Sequence, residues 1–128
     1  MLEQLFREFE FNKAADNHIT EVAGIKLPAD YISFMMEHNG GEGSVGDNAY
    51  AILFKLEELK RINDDYKISE YIPGYVVLGT DGGGMLLGYS DKTKTYFAVD
   101  ACAIDESEIF YEENTFDELF RKMDEELK

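Results

Sequence analysis

The chain has one cysteine, two prolines, two histidines and no tryptophan among its 128 residues. Each scarcity removes a class of protein. A lone Cys102 cannot close an intramolecular disulfide and suits a reducing compartment. His18 and His38 lie far apart with no ligand spacing around either, so with one cysteine a structural zinc site is not expected. The acid clusters lack the alternating Asp/Asn and Gly pattern of a calcium loop. No metal and no cofactor is therefore expected. No stretch approaches the roughly 20 apolar residues of a membrane span. The first eight residues carry acids where a signal peptide needs a basic end and an apolar run. A soluble, cytoplasmic protein is expected.

Bases are scarce too. Twelve Lys and Arg stand against 27 Asp and Glu, a net charge of −15. Residues 100–128 alone hold 11 acids and three bases. Such a field repels nucleic acid and anionic membranes and favours cationic partners. It is also compatible with ordinary acidity of no functional meaning. With 45% hydrophobic residues, 17 of them Phe or Tyr, and no linker-like stretch, the chain reads as a single domain over 1–128 with a substantial core.

The centre of the chain is Tyr75 to Tyr89, in which two apolar runs flank Gly79-Thr80-Asp81-Gly82-Gly83-Gly84. A phosphate loop needs a helix N-terminus and usually a lysine straight after its glycines. Here Met85-Leu86-Leu87 follows, strand-like, so the spacing predicts a tight hairpin with Asp81 fixing the turn. Thr95 to Val99 continues as a third strand, Tyr50 to Phe54 is another, and Glu108 to Tyr111 suits a short edge strand.

Helices are read from periodicity. Leu2, Leu5, Phe6 and Phe9 predict a short amphipathic helix, and Thr20 to Ala23 a helical turn stopped by Gly24. Leu27 to Gly41 is the best-punctuated segment: Pro28 suits the first helical position, Tyr31, Phe34, Met35 and His38 share a face, and Asn39-Gly40 gives a left-handed stop. Glu42 to Asn48 reads as a flexible glycine-containing loop. Leu56 to Ile62 predicts a short helix, and Asp64 to Tyr71 a polar connection. Thr115-Phe116-Asp117-Glu118 forms a capping box, opening a terminal helix with the stripe Phe116, Leu119, Phe120, Met123 and Leu127. Tight turns without long crossovers indicate an α+β domain: one antiparallel sheet of about four to six strands surrounded by helices.

For chemistry, no serine sits in a nucleophile elbow, Cys102 has no catalytic neighbourhood, and nothing singles out a carboxylate pair. An enzyme is not expected. Asp105, Glu106, Glu108, Glu112 and Glu113 instead surround Ile109, Phe110 and Tyr111. This segment is either a solvated loop with a few core anchors or a docking surface where aromatics are buried and acids meet a partner's Lys and Arg. Glu42 and Asp47 are placed at its rim.

Leu27-Pro28-x-x-Tyr31-x-x-Phe34 closing on Asn39-Gly40-Gly41, then Val77 to Gly84, Thr95 to Val99 and Thr115 to Phe120, resemble in order the motifs of the SMI1/KNR4 (SUKH) superfamily, over residues 19–123. The resemblance implies an α+β fold with one antiparallel sheet. It also implies a bacterial immunity protein that binds and neutralises a polymorphic or contact-dependent toxin, many of which are nucleases. The alternative it carries is a regulatory or scaffolding module, as its eukaryotic relatives look to be. Leu27, Pro28, Asn39, Gly40, Gly79, Asp81, Gly82 and Gly84 are the shared positions and fit fold maintenance. The expected partner is a basic protein, a toxin domain, with homo-oligomers possible but not indicated.

Overall fold

The computed structural model describes residues 2–16 and 19–126; His18 and Leu127 lie outside the described residues. A helix α1 (Leu2–Leu5) leads to strand β1 (Phe9–Phe11), then to a two-stranded hairpin, β2 (Glu21–Val22) and β3 (Ile25–Lys26). Helix α2 (Ala29–Glu37) follows, with β4 (Gly41–Val45) and β5 (Ala49–Leu53) after it. A 3-10 turn (Leu56–Glu58) opens into α3 (Leu59–Asp65) and α4 (Ile68–Tyr71). The chain then runs through β6 (Tyr75–Thr80), β7 (Met85–Ser90), β8 (Thr95–Asp100), β9 (Ile109–Glu113) and α5 (Phe116–Glu126).

The main sheet has seven strands in the order β1-β4-β5-β6-β7-β8-β9, antiparallel at every pairing. It is a six-strand meander with β1 added at one edge, so the α+β expectation holds with more strands than anticipated. Strands β6 to β8 alternate between two cores. Val76, Leu78, Leu87, Tyr89, Tyr96 and Ala98 pack with α2 and α5 residues such as Tyr31, Met35, Phe116 and Phe120. Tyr75, Val77, Leu86, Phe97 and Val99 pack on Ile68 and Ile72. Both faces are covered there, which explains why these strands read as continuous apolar runs rather than alternating ones. Over β1, β4 and β5 the second face is bare: Glu10, Glu42 and Tyr50 are exposed while Phe9, Gly43 and Ala51 beside them are buried.

Five local expectations are corrected. Phe9 belongs to β1, not to the first helix; it stacks on Phe6 with ring centroids 4.5 Å apart. Thr20 to Ala23 forms no helical turn: Ala23 and Gly24 take φ of 52° and 82° and reverse the β2–β3 hairpin. Most of Glu42 to Asn48 is strand, not flexible loop. A Cβ at Gly43 would lie 2.7 Å from the Phe9 Cα, so the glycine is there because β1 crosses too close for a side chain. Asp64 to Tyr71 contains α4, whose Ile68 anchors the second core. Pro28 sits just before the first helical residue instead of on it.

Asn39 ties elements together rather than ending α2, which stops at Glu37 with His38 already extended at φ −140° and no left-handed cap. Its Oδ1 accepts from Leu56 N at 2.9 Å and its Nδ2 donates to Glu57 Oε1 at 2.8 Å, tying the end of α2 to the 3-10 turn, while Gly40 takes the left-handed φ of 83°. Asp30, at the start of α2, is a second tie. Its carboxylate accepts from Tyr31 N at 2.9 Å, Tyr96 Oη at 2.5 Å and Phe116 N at 2.9 Å, joining α2, β8 and α5. At Thr115 half of the expected capping box forms: its Oγ1 accepts from Glu118 N at 3.1 Å, while the Glu118 carboxylate accepts from that hydroxyl at 3.0 Å.

Candidate binding site

The acids singled out in the sequence do not form one surface. Glu42 lies on the bare face of β4, where it accepts from Tyr50 Oη at 2.6 Å. That hydrogen bond, followed by weaker effects including the nearby Glu10 charge, raises the Tyr50 hydroxyl above its ordinary pKa. Asp47 is at the tip of the β4–β5 turn, 3.7 Å from Arg7 with both side chains in solvent. Strands β4 and β9 stand five strand spacings apart, on the order of 24 Å. Glu42 therefore does not rim the 105–113 segment, whereas the β4–β5 turn that carries Asp47 reaches α5, where Asn48 N donates to Asp124 Oδ1 at 2.8 Å.

Within that segment most of the acids are engaged by their own chain. Asp105 accepts from Ser107 N at 2.9 Å and from the Ser107 hydroxyl, capping a 3-10 turn; these bonds hold its carboxyl below the usual range. Glu106 meets Lys92 Nζ at 2.5 Å. Glu112 accepts from the Thr93 and Thr95 hydroxyls at 3.2 and 3.0 Å. Glu108 is exposed. Such contacts fit a solvated edge, since exposed pairs contribute little.

Tyr111 and Glu113 behave differently because of the pairing of β9. Val99 lies opposite Ile109 and Ala98 opposite Tyr111, which leaves Phe110 as the extra residue of a β-bulge. In a regular strand two successive side chains point to opposite faces. The bulge re-aims the strand, and Phe110 and Tyr111 both line one groove of about 380 Å³. Asp81 and Met85, where the glycine loop enters β7, form a second wall with Leu87. Met123 and Glu126 of α5 form the third.

The electrostatics of the groove are one-sided. Burial pushes the Tyr111 hydroxyl up to about 12, and the charges of Glu126, Asp81 and Glu113 add to the effect. Three carboxylates thus gather around a half-buried phenol. Lys122 answers part of this, with Nζ 3.2 Å from Glu126 Oε1; that hydrogen bond, first, and the Glu126 charge, next, raise the lysine above its usual range. Phe110 is 61% exposed at the rim, a large apolar surface left in water beside a concave apolar floor.

The glycine loop that shapes one wall is built as its sequence suggested. Asp81 Oδ1 accepts from Gly83 N at 2.7 Å and Met85 N at 3.0 Å, and Thr80 Oγ1 donates to Met85 O at 2.6 Å. Gly82 and Gly84 take φ of 78° and 107°. At the base of the loop, a Cβ on Gly79 would come within 2.6 Å of Ile52 O, so the glycine permits β5 and β6 to approach. Leu27, buried next to Pro28, belongs to the first core. Sequence reasoning named Phe110 and Tyr111 together but missed Met85, Leu87, Met123 and Glu126 as their neighbours. The one available signal was the adjacent aromatic pair Phe110-Tyr111 in an acidic edge strand. Among the described residues no group of three or more His, Cys, Asp or Glu is placed to hold a metal ion, and no helix is long and apolar enough to cross a membrane.

An antiparallel meander with helices on both faces, carrying an apolar groove rimmed by carboxylates, defines a small α+β domain. The model of the SMI1 / KNR4 family (SUKH-1) matches residues 14–122, and the chain belongs to that family. No curated protein matches the chain.

Proposed function

We propose that the chain is an immunity protein that neutralises a cognate bacterial toxin by stoichiometric binding, without catalysis. The observation that carries this reading is the family membership, since SUKH proteins are known as immunity proteins. The net charge of −15 supports a basic partner, and a nuclease domain, which must hold phosphates, is the natural candidate. An acidic inhibitor meets such a domain quickly and covers it.

Co-expression tests the reading directly. Cells producing the toxin domain encoded next to this gene are expected to survive when the protein is present, and their death would overturn it. The association rate is expected to fall about tenfold or more from low to high salt. A rate indifferent to salt removes the steering argument and leaves the immunity reading to stand on the family alone.

A further inference from the structure

We propose that the groove between the glycine loop, β9 and α5 receives an aliphatic or aromatic side chain from a basic segment of the partner, whose Lys or Arg residues on either side meet Asp81, Glu113 and Glu126. The inference rests on the binding-protein reading and names the chemistry of its contact. Three observations converge. The floor is apolar and adaptable, because Met85 and Met123 can re-pack around an incoming side chain. The β9 bulge sets Phe110 beside Tyr111 on the same cavity and leaves Phe110 61% exposed; bulges of this kind serve to re-aim side chains. The charge around the opening is also unbalanced, with Asp81, Glu113 and Glu126 answered in part by Lys122.

Charge complementarity selects the occupant. An anchor flanked by acids would add to a concentration of like charge, whereas one flanked by bases is drawn in. A second copy of this chain, itself at −15, is disfavoured by the same argument. The bare face of β1, β4 and β5 is the weaker candidate, because the cleft there is lined chiefly by polar and charged groups, among them Glu10, Asn12, Glu42, Lys55 and Glu58. The expected contact has a hydrophobic anchor in a pocket and a polar, charged rim, the usual anatomy of an interface centre.

The test uses the synthetic peptide Lys-Lys-Leu-Phe-Lys-Lys and the full chain labelled at the methionine methyls. Met85 and Met123 are expected to shift and saturate, while Met35, buried in the first core on α2, does not. The peptides Lys-Lys-Gly-Ser-Lys-Lys and Glu-Glu-Leu-Phe-Glu-Glu are expected to shift neither. Phe110→Ala should weaken the peptide about tenfold and Glu113→Gln with Glu126→Gln about threefold, with Tyr71→Ala, exposed on α4, as the unchanged control. If neither methyl moves at the peptide's solubility limit, or the acidic peptide binds equally, the proposal is overturned. A dimer in sedimentation that Phe110→Ala dissolves overturns it in favour of a second copy. Methyl shifts with a failed co-expression test keep the groove as a basic-peptide site and remove the toxin. Protection by the wild type, with toxin affinity unchanged in Phe110→Ala, keeps the immunity reading and overturns the groove.

Discussion

The flank of β6 beside α3 and the groove beside α5 are built on opposite plans. Strand β5 pairs with β6 only at Leu53 and Ile52, opposite Gly79 and Thr80. Beyond that point Val77, still paired with Gly88 of β7, has no strand on its β5 side, and Asn63 of α3 takes that place. The Asn63 Oδ1 accepts from Val77 N at 2.7 Å, and its Nδ2 donates to Val77 O at 2.9 Å and Leu59 O at 2.8 Å. One buried side-chain amide imitates a strand, and each of its polar atoms is used. Around the groove, by contrast, carboxylates crowd together with part of their charge unanswered, and an aromatic ring stands in water. A region whose polar groups are satisfied internally is organised for stability. One that leaves excess negative charge and an aromatic ring in water is the surface proposed above for binding.

The largest effect should come from the first region. Asn63→Leu leaves the Val77 N–H and C=O buried without partners, and urea denaturation is expected to show a loss of about 3 kcal/mol. Affinity of the folded fraction for the basic peptide should be unchanged; a loss of affinity as large as the loss of stability would erase the contrast between the two regions. Gly84→Val comes next. Nothing lies within 4 Å of the space a Cβ would fill, so the cost is that of a branched residue at φ 107°, about 2 kcal/mol. Because this loop forms a wall of the groove, an unchanged melting temperature with lost binding would move it from scaffold to interface.

Phe110→Ala should reverse the pattern, with stability altered by less than about 0.5 kcal/mol and partner affinity reduced. A clear drop in melting temperature would show that Phe110 is part of the core after all. The smallest effect is alkaline. The Tyr111 pKa is raised from 10.0 to about 12, so the stability it contributes is full below pH 10 and lost as pH rises through 12. Burial raises Tyr31 and Tyr96 as well, so Tyr111→Phe should relieve only part of the alkaline loss. Urea midpoints across this range would detect it, and equal slopes for both proteins would place the Tyr111 hydroxyl in solvent.

Legibility in the sequence followed the range of the interactions. Helix α2, the β6–β7–β8 meander and α5 were readable because periodicity and turn residues are local. Strand β4 was hidden because Gly41-Glu42-Gly43-Ser44-Val45 has little strand propensity of its own; β1, lying across it, demands the glycines. Helix α4 was masked by the polar residues around Ile68. The role of Asn63 could not be read, since it depends on where β5 stops. The groove was illegible for the same reason. Its walls come from residues 81–87, 110–111 and 123–126, and the bulge that aligns Phe110 with Tyr111 is a matter of register, which composition does not encode.

Asp30 bears on how firmly one wall of the groove is held. Its carboxylate bonds Tyr96 and Phe116, 66 and 86 residues further along the chain. One side chain at the start of α2 thus pins the first residue of α5 to the sheet, and α5 carries Met123 and Glu126. The surface proposed to meet the partner therefore depends on a carboxylate that lies outside it, and loss of that tie is expected to loosen the α5 wall while leaving the β6–β7–β8 meander standing.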